Sequence, residues 1–356
     1  MIMKTIDFFL MKFVKNKNVS KKTVLIVEFN PCHGETLPGF IKYFEDLDYN
    51  IDLLINSDLY KDKVISSFNF KNINCVFYYD MQTILNEALL LKIKKYDVVF
   101  YNSYVLYTGK GIYSIFTKNP KIINNMKRYI CIEHNSLSNY ERNNDKNRVA
   151  TLLPNKFYSK YINPHYFFKK NHKNKNSITK FSIFARESNS QKNIDLIINS
   201  VKNIIQSGVS NFKLTLVGRI SQLNIDISGY ENNIEFTGYL DYETLYKKVE
   251  DCDFILPMLD PDIEAHKRFL IDSSGTFQLI YGFLKIPIIH DFFAERYGFN
   301  NKNSLIYMNC DELVEQIKYA INMTNEEYLE KTKLISIYSD ILYTESLNNL
   351  KLMLTD

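Results

Sequence analysis

Short apolar runs and longer amphipathic stretches alternate along most of this chain. The runs at 22–30, 51–55, 75–79, 98–101 and 129–132 read as buried strands. The stretches between them carry apolar residues at helical spacing, as at Ile41, Phe44 and Leu47. A lysine- and asparagine-rich stretch at 167–180 has no such period and reads as a linker. Beyond it the alternation resumes, with strands at 181–185, 213–217, 234–238 and 254–257 and helices starting near Lys192 and Tyr242. A nearly all-apolar helix at 277–284 and a β-branched strand at 286–289 follow, and the chain after Asn325 is helical in pattern to its end.

Strands alternating with helices predict an α/β fold with mostly parallel sheets covered on both faces. The linker divides the chain into two Rossmann-like, doubly wound domains in tandem with a cleft between them. The expected boundaries are an N-terminal segment at 1–20, a first domain at 21–166, the linker at 167–179, a second domain at 180–335 and a C-terminal helix at 336–356.

Composition narrows the class. Of 356 residues, 46% are hydrophobic and 24% charged, which describes an ordinary globular chain. The formal net charge of +4, with lysines interleaved among asparagines, argues against a nucleic-acid partner. Five cysteines without any paired spacing read as free thiols in a reducing compartment, and a cytoplasmic location is expected. The N-terminal segment qualifies this. Ile2, Ile6, Phe9, Leu10 and Phe13 recur at helical spacing and Lys15, Lys17, Lys21 and Lys22 follow, a pattern that suits either an anionic membrane surface or packing on the protein's own domain.

The polar cluster Asp272, Ser273, Ser274, Gly275 and Thr276 precedes the apolar helix. A helix N-terminus has unpartnered N–H groups and partial positive charge, so it suits an anion; a serine there also serves as a plain cap. Arg186, Gly218 with Arg219, and Gly238 with Tyr239 each follow a predicted strand, at the sheet edge where open α/β sheets bind ligands.

In this order the elements resemble the C-terminal half of GT-B glycosyltransferases, notably the large retaining group with a Glu-x7-Glu segment. The resemblance spans about residues 180–322, and in the first half the segments 132–135 and 162–167 are similar to that group's strand-end histidine and hinge. Asp272 and Ile280 stand where the group has its two glutamates. The resemblance implies that Arg186, Lys192 and the turn Ser273, Ser274, Gly275 and Thr276 hold a nucleotide-sugar diphosphate, that Tyr239 lies against the nucleobase, and that no cofactor or essential metal is needed. The Asp251/Asp253 and Asp260/Asp262 pairs are accordingly read as chance matches to a metal-binding pattern.

His134, Glu35 and Asp272 are the catalytic candidates, with His33 beside Glu35 sharing its ambiguity. Each has a structural alternative: a core histidine, a carboxylate at a helix start, and a helix cap. The implied function is metal-independent, hexosyltransferase-type transfer from a nucleotide-sugar to a glycan or lipid-linked acceptor in surface polysaccharide biosynthesis, by an enzyme peripheral to the inner face of the membrane. A nucleotide-sugar 2-epimerase and a non-catalytic partner of the same fold are the alternatives.

Overall fold

The computed structural model describes residues 21–79, 96–104, 128–136, 146–165, 173–185, 193–218 and 225–355. The N-terminal segment at 1–20, together with Arg186, Lys192 and Arg219, lies outside these residues.

The chain divides into two compact units, residues 1–164 with 345–356, and residues 165–344. Unit 1 is built on β1 (Thr23–Glu28), β2 (Asn50–Asn56), β3 (Ile73–Tyr79), β4 (Val98–Tyr101), β5 (Tyr129–Glu133) and β6 (Val149–Thr151). All pair in parallel, in the order β3-β2-β1-β4-β5-β6. Unit 2 repeats the plan with β7 (Thr179–Phe184), β8 (Phe212–Val217), β9 (Ile234–Gly238), β10 (Phe254–Ile255), β11 (Ile286–His290) and β12 (Leu305–Tyr307). Their order is β12-β11-β10-β7-β8-β9, again all parallel. Both are the doubly wound order in which the direction of strand addition across the sheet reverses beside the first strand, between β1 and β4 and between β7 and β10. Ligands of such sheets bind at the carboxyl ends of the strands on either side of that reversal.

The described helices are α1 (Leu37–Asp46), α2 (Ser57–Lys61), α3 (Ile194–Gln206), α4 (Tyr242–Asp251), α5 (Gly275–Phe283), α6 (Asp291–Ala294), α7 (Cys310–Asn322) and α8 (Asn325–Thr355). Capping fixes several starts: Asn193 accepts from the Leu196 N–H, Asp241 from that of Thr244 and Asn309 from that of Glu312. Helix α8 buries Tyr328, Thr332, Ile335, Ser339, Leu342, Ser346, Leu350 and Met353, mostly in alternating steps of four and three, so one face is covered over its full length. Its last turns, from Glu345, belong to unit 1.

Residues 173–178 of the expected linker are tied to unit 2. Lys175 Nζ donates to the carbonyls of Ile321 (2.7 Å) and Met323 (3.2 Å), and Asn176 N–H donates to Asp253 Oδ1 (3.0 Å). At the end of unit 1, Tyr43 Oη donates to the Asn163 carbonyl (2.6 Å) and the Asn163 N–H to Ser346 Oγ (2.8 Å). Gly39 on α1 packs directly on this segment, and a Cβ built there overlaps the Pro164 carbonyl. Backbone cannot retreat as a flexible side chain can. Gly39→Ala is therefore expected to cost about 3 kcal/mol or more, read as a lower denaturant midpoint with an unchanged slope.

Candidate functional site

Unit 1 gathers a polar cluster at the reversal between β1 and β4. Glu28 ends β1 and is fully buried. Its carboxylate accepts from the Asn30 N–H (2.7 Å), from Ser103 Oγ (2.7 Å) and from Asn102 Nδ2. The Asn102 amide can point only one way, because Glu28 and the His33 carbonyl (3.2 Å) on its Nδ2 side are both acceptors. Its Oδ1 faces Thr36 Oγ1 at 2.7 Å. The turn after β1 is held by these bonds in a conformation that side chains rarely adopt: His33 has φ 63°.

His134 follows β5, and its Nε2 lies 2.7 Å from the Asn102 carbonyl. A carbonyl only accepts, so Nε2 carries the proton. The ring stacks on that of His33, with centroids 4.0 Å apart and planes 20° apart. Nδ1 of His33 is 3.9 Å from Glu35 Oε1, and these side chains remain 34% and 23% exposed, open to a ligand.

The protonation pattern follows from these contacts. Burial lowers the His33 imidazole, but the neighbouring Cys32 and Glu35 outweigh this and hold it well above the ordinary range. Burial alone would raise Glu35; the neighbouring His33 brings it down to about 2. His134 is pushed down to about 3, first by burial and then by the His33 charge, against the pull of the Asn102 carbonyl and Glu35. At neutral pH the cluster is thus a cationic His33 paired with an anionic Glu35 and stacked on a neutral His134. With Nε2 protonated in a neutral ring, His134 Nδ1 carries a lone pair. Such a nitrogen is able to accept a hydrogen bond from a hydroxyl, and with its pKa at about 3 it is too weakly basic to keep the proton.

Glu28, Asn102 and Ser103 were not among the sequence candidates. One signal was available. Glu28–Asn30 and Glu133–Asn135 are both Glu-x-Asn at a strand end, and in both the glutamate Oε1 accepts the asparagine N–H at 2.7 Å.

In unit 2 the turn at 272–276 lies where expected. Helix α5 begins at Gly275 with Ser274 at the N-cap, and the Ser274 hydroxyl makes no capping bond. Asp272 lies two residues before the N-cap and is buried. Thr276 Oγ1 lies 3.5 Å from the Phe184 carbonyl, fixing the N-terminus of α5 at the carboxyl end of β7, beside the second reversal. Ser273 Oγ accepts from Gln278 Nε2 (3.4 Å), and Gln278 Oε1 is buried with no partner among the described residues. Gly218 (φ 125°) and Gly238 (φ 68°) end the neighbouring strands β8 and β9 in conformations that need glycine, joined by a 2.9 Å bond from the Gly218 N–H to the Gly238 carbonyl. Tyr239 beyond them is 44% exposed. Ile280 is fully buried in α5, so the position of the second glutamate offers no polar group here.

The aspartate pairs are engaged by other groups. Asp253 accepts from the N–H groups of Asn176 (3.0 Å) and Lys180 (2.9 Å), and Asp251 pairs with Lys180 at 2.8 Å. Asp260 accepts from Asn193 Nδ2 at 2.6 Å and from the Asp262 N–H at 2.9 Å. Among the described residues no group of three or more histidines, cysteines or carboxylates is arranged to hold a metal ion.

The architecture is that of GT-B glycosyltransferases: two six-stranded parallel α/β units. Solved structures similar to the chain include Anabaena HepE in complex with UDP, at 13% identity and a TM-score of 0.61 over 93% of this chain and 99% of that one. An α-glucosyltransferase in complex with UDP and DNA has 12% identity and a TM-score of 0.62, over 95% and 100% of the two chains. A glycosyltransferase from Rickettsia africae has 13% identity and a TM-score of 0.55, over 94% and 98%. No protein-family model and no curated protein matches the sequence, so the likeness shown is one of fold.

Proposed function

We propose that the protein is a glycosyltransferase that moves a sugar from a nucleotide-sugar to a hydroxyl of a glycan or lipid-linked acceptor. The observation that carries this reading is the N-terminus of α5, uncapped by Ser274 and tied through Thr276 to the end of β7. In this reading Gly275 and Thr276 offer N–H groups to the departing diphosphate, whose charge the helix dipole and the cations Arg186 and Lys192 balance. Solved structures of the same fold bind UDP and UDP-glucose, which supports a nucleotide-sugar as the donor class.

Unit 1 takes the acceptor in this proposal. His134 Nδ1 accepts the hydrogen of the attacking hydroxyl, and the His33–Glu35 pair keeps the neighbouring charge balanced. A neutral hydroxyl suits such a site better than an anionic group, because the cation there is already paired. A net charge of only +4, with lysines interleaved among asparagines, offers little electrostatic hold on a DNA backbone and supports a glycan as acceptor. No helix among the described residues is long and apolar enough to cross a membrane. Attachment of the cytoplasmic enzyme to the membrane's inner face, and a place in surface polysaccharide biosynthesis, rest on the amphipathic segment at 1–20.

The test is incubation of the full chain with a panel of nucleotide-sugars and glycan acceptors, following free nucleotide. Release is expected with one donor and to persist in EDTA, because the helix N-terminus and basic side chains supply the positive field. Loss of release in chelator, restored by magnesium or manganese, overturns metal independence. Interconversion of the sugar without release overturns the transferase.

A further inference from the structure

Glu28 touches no surface, yet it is the group on which the unit 1 cluster hangs. One carboxylate oxygen fixes the turn after β1 through the Asn30 N–H, and the other fixes the end of β4 through Ser103 and Asn102. Asn102 in turn holds the His33 carbonyl with its side chain and the His134 ring with its own carbonyl. We propose that Glu28 is a positioning residue, whose carboxylate, acting through Asn102, sets the His33 turn and selects the ring form of His134 that leaves Nδ1 to accept.

The alternative is that Glu28 merely ties two strand ends together, and the energetics argue against it. Burial drives the carboxyl up to about 7, against the charge of His33 and the bonds from Ser103, Asn30 and Asn102. A carboxyl raised in the folded state contributes stability that is full below its unfolded value and is lost as pH rises through about 7. A neutral side chain would tie the strands without that loss. The charge acting on Glu28 is that of His33 on the following turn. Ile55 and Asn56 on β2, and Asn102 and Ser103 after β4, carry none, while the histidine and carboxylates at the same sheet edge are His134, Glu35 and Glu133.

Protonating Glu28 changes the bonds in a defined way. The new O–H must point at Asn102 Nδ2 or Ser103 Oγ, both now donors to it. Ser103 can reverse its hydroxyl; Asn102 can relieve the conflict only by turning its amide, which withdraws Nδ2 from the His33 carbonyl. Where the proton faces Asn102, the ionisation of Glu28 therefore sets how firmly the His33 turn is held, and through the stacked His33 ring the surroundings of His134.

This deepens the transferase reading, and its test uses the free protein so that the two fail separately. Histidine is labelled with nitrogen-15 in the full chain, and ring nitrogen shifts are followed from about pH 5 to pH 9, with His134 assigned from the spectrum of His134→Asn. In the parent protein His134 should stay neutral and Nε2-protonated at high pH, with a shift whose inflection lies near 7, the Glu28 value. In Glu28→Gln the inflection should vanish, and resistance to denaturation should rise relative to the parent as pH increases. Ser103→Ala removes a bond that favours the charged carboxylate, so its inflection should move upward by about half a pH unit. Ser103→Ala also decides the matter if Glu28→Gln does not fold. An unchanged His134 response in Glu28→Gln, or an unmoved inflection in Ser103→Ala, overturns the proposal.

Discussion

Gly275→Asp is expected to strengthen the fold slightly and to destroy donor binding. Gly275 opens α5 and is not among the glycines with positive φ, so the backbone admits a side chain there. A carboxylate in the first turn of a helix is favourable by about 0.3–1 kcal/mol, and denaturation should report a gain of that order. The same carboxylate repels a diphosphate. At about 4 Å, unit charges interact by about 1 kcal/mol in water and about 4 kcal/mol in a partly screened protein site, so donor affinity should fall by about 10²–10³-fold. The opposite signs separate the site from the scaffold. A mutation that weakened binding by damaging α5 would lower stability as well.

His134→Ala should lower kcat by about 10²-fold, the lower end of the range for a positioned acid or base. The lower end is expected because His134, held down at about 3, accepts the hydroxyl hydrogen without keeping the proton. KM for the donor should be unchanged, since unit 2 binds it in this account. The folded protein should tolerate the change: deleting the ring leaves the Asn102 carbonyl, whose side-chain bonds to Glu28, Thr36 and His33 persist. Because His134 is neutral over the working range, its removal should leave the pH dependence of kcat in place. A loss of activity confined to KM, or a change of pH profile in His134→Ala, would show that the ring does other work.

The fold was legible because its signal is local. Strands β1, β4, β8 and β9 are apolar or alternating runs bounded by polar residues, and their observed limits lie within two residues of the expected ones. Strands β6 and β12 have three residues each, too few for a period to appear, and no strand was expected at either. The turn at 272–276 was legible for a similar reason, since a polar cluster opening an apolar helix marks an N-terminus without knowledge of its neighbours. What the cluster does there was less so: a serine at an N-cap usually bonds its own helix, and Ser274 does not.

The unit 1 network could not be read locally. His33 and His134 stack across 101 positions of sequence, and Glu28 meets Ser103 only because β1 pairs with β4 in the register Val27↔Tyr101. That pairing belongs to the strand order, which alternation alone does not specify. Glu28 also closes an apolar run, where the pattern gives no reason to separate it from the strand. Arg186 and Lys192, expected from resemblance to hold the diphosphate, lie outside the described residues, so the geometric case for the donor rests on α5, Thr276 and the glycines ending β8 and β9.

Equilibrium binding of nucleosides by calorimetry tests this case most directly, because it needs neither the acceptor nor the right sugar. If the N-terminus of α5 is a diphosphate site, a nucleoside diphosphate should bind the full chain at least about tenfold more tightly than its monophosphate. The nucleoside alone should bind weakest, and the preference for the diphosphate should be lost in Gly275→Asp. Equal affinity for all three, or a preference that survives in Gly275→Asp, would contradict the assignment of α5 as the donor site.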